Sequence, residues 1–115
     1  MKTPIYKTER KALLIGKNAT AEATLVDLSI HEAGVITPRG AKEGTELKLQ
    51  FEIPTQEEFT TLTLNTIVTD RHNAEDKIYL KLEFEPLNSA DKNALKQFFD
   101  YKQRLINMGK RQSID

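Results

Sequence analysis

Residues 45–53 alternate without a break. Leu47, Leu49, Phe51 and Ile53 are apolar, and Glu46, Lys48, Gln50 and Glu52 between them are polar or charged. A side-chain period of two with one charged face fits a half-buried strand in an antiparallel sheet, because a helix would scatter these apolar groups around its circumference. The pattern returns at 77–84, where Ile78, Leu80, Leu82 and Phe84 alternate with Lys77, Tyr79, Lys81 and Glu83. The Thr-rich run 59–69, carrying Leu62, Leu64, Thr66 and Val68, has a similar period and β-branched composition. Shorter strands are expected at 11–16 (Leu13, Ile15), at 20–30 (Val26, Leu28, Ile30) and at 34–37.

Turn chemistry separates these runs. Gly16-Lys17-Asn18 closes the first, Pro38-Arg39-Gly40 with Gly44 the third, Pro54 the fourth, and the polar segment 70–76 the fifth. Short strands with no helical period between them point to an antiparallel barrel or sandwich, not to βαβ units. After Pro86 the period changes. Asn88 or Ser89 is placed to cap a helix, and Asp91 suits its positive end. Leu95, Phe98, Phe99, Lys102 and Leu105 follow at helical spacing, predicting an amphipathic helix of about five turns that packs on the sheet through the Phe98–Phe99 pair. Gly109 is the expected C-terminal cap, and the residues beyond it are expected to fray. The organisation expected is a short arm at 1–10, one folded unit at 11–108 and a tail at 109–115.

Composition narrows the function. The 115 residues suffice for one core, and 17 Lys and Arg balance 17 Asp and Glu. That balance argues against a binder of DNA or RNA polymers, which needs a basic excess. No run approaches the ~20 apolar residues of a membrane helix and no signal-peptide pattern opens the chain, so a cytoplasmic protein with no membrane span is expected. Zero cysteines remove disulfides, thiolate metal sites and Cys nucleophiles. His31 and His72 fall in turn-like segments without triad or metal-ligand spacing, and no glycine-rich phosphate loop is present. The expectation is a protein that is not an enzyme and holds no metal or cofactor. Basic residues gather at both ends: Lys2, Lys7, Arg10 and Lys11 against Glu9, then Lys102, Arg104, Lys110 and Arg111.

One segment carries more information. In Asp27-Leu28-Ser29 the two polar side chains share one face of an extended chain. They can bond local backbone in a turn, or offer acceptors and a hydroxyl to a ligand such as a guanine edge. Asp27 and Ser29 match the D/N-x-S-x-x-G motif of the PilZ domain family, and Ala33-Gly34-Val35 match the start of the strand after it. Gly44 to Pro54, Val68, Leu82-Glu83-Phe84, Leu87, Leu95 and Phe98-Phe99 extend the resemblance over about residues 10–106. The resemblance implies a six-stranded antiparallel β-barrel with a C-terminal α-helix. It also implies a role in bacterial cyclic di-GMP signalling, with the nucleotide gripped by R-x-x-x-R on an N-terminal arm and by the D/N-x-S-x-x-G turn.

This chain departs from both motifs. It has no R-x-x-x-R; Lys7 and Lys11 stand at that spacing with Arg10 offset by one, and Glu32 occupies the motif-glycine slot unless Gly34 serves instead. An ammonium keeps charge but forfeits the guanidinium's bidentate contact and stacking, each costing about 1–3 kcal/mol. Glu32 would be strained if the slot demands positive φ, and its carboxylate would face the phosphates. By resemblance two functions follow. The first is an adaptor with weak or no nucleotide binding, acting on a protein partner in motility, pilus or biofilm control through Tyr101, Arg104, Ile106 and Met108. The alternative is a competent cyclic di-GMP receptor using Lys7, Arg10, Lys11, Asp27, Ser29 and Gly34. Arg39 and Arg71, both expected in loops, are the other arginines that could replace the missing pair.

Overall fold

The computed structural model describes residues 3–55 and 58–112, with side chains described as far as Met108. Lys2, Glu57, the side chains of Lys110 and Arg111, and the end of the tail at 113–115 therefore lie outside the described residues. Six strands and one helix follow in order: β1 (Tyr6–Ile15), β2 (Thr20–Leu28), β3 (Glu32–Thr37), β4 (Glu46–Thr55), β5 (Glu58–Ala74), β6 (Lys77–Phe84) and α1 (Ser89–Gln112). Every pairing is antiparallel, and the sheet closes as a barrel in the order β1-β2-β3-β6-β5-β4. Closure removes the exposed edges that an open sheet of this length would present.

Alternation decides which residues face inward. Leu49 and Phe51 of β4 meet Leu64 and Leu62 of β5, while Leu80 and Leu82 of β6 meet Val35 and Ala33 of β3, all buried. Helix α1 seals one mouth of the barrel with Ala94, Leu95 and Phe98, also buried. Asn88 is the cap: its Oδ1 accepts the Asp91 N–H at 2.8 Å, satisfying a donor the helix cannot pair itself.

The chain corrects several boundaries. β1 begins at Tyr6, not near residue 11, so five residues of the expected arm are strand. Pro54 does not end β4, which continues to Thr55. The polar segment 70–76 is not a loop: β5 runs to Ala74, His72 lies on it opposite Tyr79, and the turn is confined to Glu75 and Asp76. Glu75 takes φ of 54°, the left-handed conformation a two-residue hairpin turn needs. The helix passes Gly109 and is described through Gln112. Leu105, expected on the core stripe, is 46% exposed, because a helix of 24 residues, about 36 Å long, overhangs the barrel rim.

Candidate functional site

The β2–β3 turn is built on Ser29. Its backbone N–H donates to the Glu32 carbonyl at 2.9 Å. Its hydroxyl oxygen accepts the N–H groups of His31 (3.2 Å) and Glu32 (3.1 Å), while the hydroxyl itself lies 3.3 Å from the Glu32 carbonyl. At 2% exposure Ser29 has its hydroxyl and its N–H bonded to local backbone, the arrangement of a serine-based turn. Glu32 begins β3, has no positive φ and lies 3.4 Å from Lys81 Nζ, so the strain feared in the motif-glycine slot does not arise.

Asp27 sits two residues before Ser29, half-buried on the outer face of the barrel, opposite both Lys7 of β1 and Gly34 of β3. Both of its oxygens are engaged. Lys7 Nζ pairs with Oδ1 at 2.5 Å, and the Tyr79 hydroxyl donates to Oδ2 at 3.1 Å. Tyr79, which sequence reasoning missed, comes from β6 and lays its ring over Gly34. A Cβ built on Gly34 would fall within 2.8 Å of two ring carbons, so only glycine admits the ring. Burial, then the charge of Asp27, push the Tyr79 hydroxyl up to about 12, and it remains a donor at neutral pH. The signal was present in sequence as an outward-phase tyrosine on β6, but its contact with Asp27 spans 52 residues.

The other predicted arm residues are dispersed. Arg10 stands on the inward phase of β1, with Tyr6, Thr8, Ala12 and Leu14, and turns under α1. Its guanidinium lies 5.0 Å from the Phe98 ring centroid, its Nη1 donates to the Glu52 carbonyl at 3.3 Å, and its Nε is buried without a hydrogen-bond partner among the described residues. Lys102 flanks the same ring at 5.6 Å and donates to the Lys7 carbonyl at 3.1 Å. Burial, and then the charge of Arg10, lower its pKa. Tyr6 stacks on Phe99 with centroids 5.0 Å apart. These contacts clamp the start of β1 to the helix. Lys11 is exposed opposite Thr24, farther along β1 than the Lys7–Asp27 pair.

Neither substitute arginine reaches this face. Arg71 pairs with Leu80 in the ladder, on the opposite phase of β6 from Tyr79. It packs over Gly40, with its Nε donating to Asn73 Oδ1 at 3.3 Å. Arg39 is exposed in the segment after β3, its backbone N–H tied to the Thr37 hydroxyl at 3.2 Å. Thus Lys7, Asp27 and Gly34 come together, whereas Arg10, Lys11 and Ser29 do not join them.

The expected partner residues lie on the C-terminal half of α1, where Tyr101 and Arg104 border a groove with Pro54 and Thr55 of β4 and Ile106 and Met108 stand farther along the helix. Tyr101, Ile106 and Met108 are 39%, 45% and 52% exposed, and Arg104 is exposed too. At 100° per residue, Leu105 and Ile106 continue the stripe of Leu95, Phe98 and Lys102 past the rim, while Tyr101 and Met108 stand to one side. No group of His, Cys, Asp and Glu among the described residues is arranged to hold a metal ion. No helix among them is long and apolar enough to cross a membrane.

A model of the PilZ domain family matches residues 6–101. Among solved structures, the Bacillus subtilis inhibitor of motility (MotI/DgrA) is similar at a TM-score of 0.76 and 14% identity, over 93% of this chain and 52% of that one. The chain therefore spans about half the length of that protein. The PilZ domain with c-di-GMP of YcgR from Escherichia coli is similar at a TM-score of 0.74 and 11% identity, over 99% of this chain and 98% of that one. No curated protein sequence matches.

Proposed function

The chain belongs to the PilZ domain family, the non-catalytic effector domains of cyclic di-GMP signalling, and from that premise we propose that it works as an adaptor with weak or no nucleotide binding. The observation that carries this reading is the position of Arg10. It is the one arginine in the N-terminal basic cluster, and it is spent beneath α1 on Phe98 and the Glu52 carbonyl. Drawing it out to a ligand would uncover the Phe98 ring and break the clamp between β1 and the helix. What remains on the Asp27 face is lysine: Lys7, paired with Asp27, and Lys81, in register with Gly34 and 3.4 Å from Glu32. A lysine can attract a phosphate, but it offers neither the fork nor the flat face with which a guanidinium holds a base.

The adaptor acts in the cytoplasm and docks its protein partner on the C-terminal half of α1, through Tyr101, Arg104, Ile106 and Met108. Exposed apolar side chains gathered on this half of the helix favour this surface over the polar barrel wall. Similarity in fold to a protein called an inhibitor of motility directs the search toward motility, pilus or biofilm machinery. Capture from the native host tests the proposal. Wild-type protein should retain the same motility or pilus component with and without added cyclic di-GMP, and Ile106→Asp or Tyr101→Ala should lose it. Retention of no such component, or retention only with nucleotide, counts against the adaptor.

A further inference from the structure

We propose that Tyr79 excludes a guanine base from the Asp27–Gly34 face by standing in for it. The inference rests on reading that face as the ligand site of this family member. Two features of the face suit a purine: a carboxylate that accepts N–H donors from a guanine edge, and a backbone bare of Cβ against which a flat ring can lie. Tyr79 uses both. Its hydroxyl donates to Asp27 Oδ2 at 3.1 Å, and its ring occupies the space over Gly34. The ring is held in place from its own strand and from β5, where His72 lies opposite it in the ladder with ring centroids 6.2 Å apart. Lys7 pairs with the other oxygen, so an incoming base must share Asp27 with the ammonium and displace the Tyr79 hydroxyl from Oδ2. A ligand must expel Tyr79 before it gains its own contacts, so its apparent affinity falls by the fraction of molecules in which Tyr79 is out.

Calorimetric titration of the full chain with cyclic di-GMP tests this, using wild type, Tyr79→Phe and Tyr79→Ala. The same three are made with Lys7→Arg and Lys11→Arg, which restore two arginines four residues apart. Tyr79→Ala should tighten binding about tenfold or more over its parent in the arginine background. Tyr79→Phe, which frees Asp27 but leaves the ring on Gly34, should give a smaller gain. Circular dichroism confirms folding; if Tyr79→Ala fails to fold, Tyr79→Phe carries the test alone. Unchanged or weaker binding on removing the hydroxyl or the ring overturns the role of Tyr79. The ratio between variants in the arginine background decides this whatever affinity the wild type returns, whereas the wild-type affinity judges the weak or absent nucleotide binding of the adaptor reading.

Discussion

Gly34→Ala is the most informative single substitution. The backbone of Gly34 is not left-handed, so alanine is allowed there, and in a strand it is ordinarily the better residue by about 0.5–1 kcal/mol. Here the new Cβ would stand 2.8 Å from two ring carbons of Tyr79, where carbon contacts settle at about 3.5–4.0 Å. Nearer still would be the Tyr79 hydroxyl oxygen itself, so the hydroxyl must move, and its 3.1 Å bond to Asp27 is the contact that gives way. A hydrogen bond to a charged group contributes about 1.5–3 kcal/mol, and the lower end applies because both groups can turn to water. Subtracting the gain in strand preference leaves a net destabilisation of about 0.5–1 kcal/mol. Urea unfolding should show it, and the lost partner should bring the Tyr79 hydroxyl back toward its ordinary value of 10.0 from about 12. An unfolding midpoint at or above wild type, with an unchanged tyrosine titration, would refute the close packing of Tyr79 on Gly34.

Three further outcomes are expected. Because the folded pKa of Tyr79 is raised, its contribution to stability is whole below pH 10 and is lost as the pH rises from 10 toward 12; the difference between wild type and Tyr79→Phe in urea midpoints across that window should shrink accordingly, and a constant difference would contradict it. Phe98→Ala should cost about 3–5 kcal/mol, because it empties a fully buried site and removes the ring that Arg10 and Lys102 both lie against; a loss below about 1 kcal/mol would mean that the helix is not seated through Phe98. Asn88→Ala should lower stability by about 1 kcal/mol while Asn88→Asp holds it, as read by thermal unfolding; equal loss in both would deny the capping role.

The barrel was legible because alternation is a local signal. The pattern at 45–53 and at 77–84 needs only neighbouring residues to be read, and β4 and β6 fall where it places them. The same signal, carried further back, explains Arg10. Once β1 starts at Tyr6, Arg10 shares the inward phase of Ala12 and Leu14, whereas Lys7 and Lys11 face out. Reading 1–10 as an arm hid that phase. The segment 70–76 misled for the opposite reason: polar residues extend β5 because it and β6 form a long hairpin projecting beyond the core, where both faces meet water. Pairings between distant strands were not legible. Asp27 with Lys7 spans 20 residues and Asp27 with Tyr79 spans 52, and each depends on register near a bulge, between Lys7 and Arg10 in one ladder and between Leu25 and Asp27 in the next. Ser29 could be read only as an open choice, because a turn that bonds His31 and Glu32 and a turn that offers its hydroxyl to a ligand use the same residue types.

The arginine of the basic N-terminal end of this PilZ domain is folded beneath α1, and on the function proposed above it is not held ready for a nucleotide. Isothermal titration of the wild-type chain with cyclic di-GMP at physiological salt tests that reading most directly. With Arg10 under the helix and both oxygens of Asp27 taken, the account predicts no saturable binding tighter than the tens of micromolar. Submicromolar affinity, weakened by Lys7→Ala, Arg10→Ala and Asp27→Ala, would contradict it and restore the receptor.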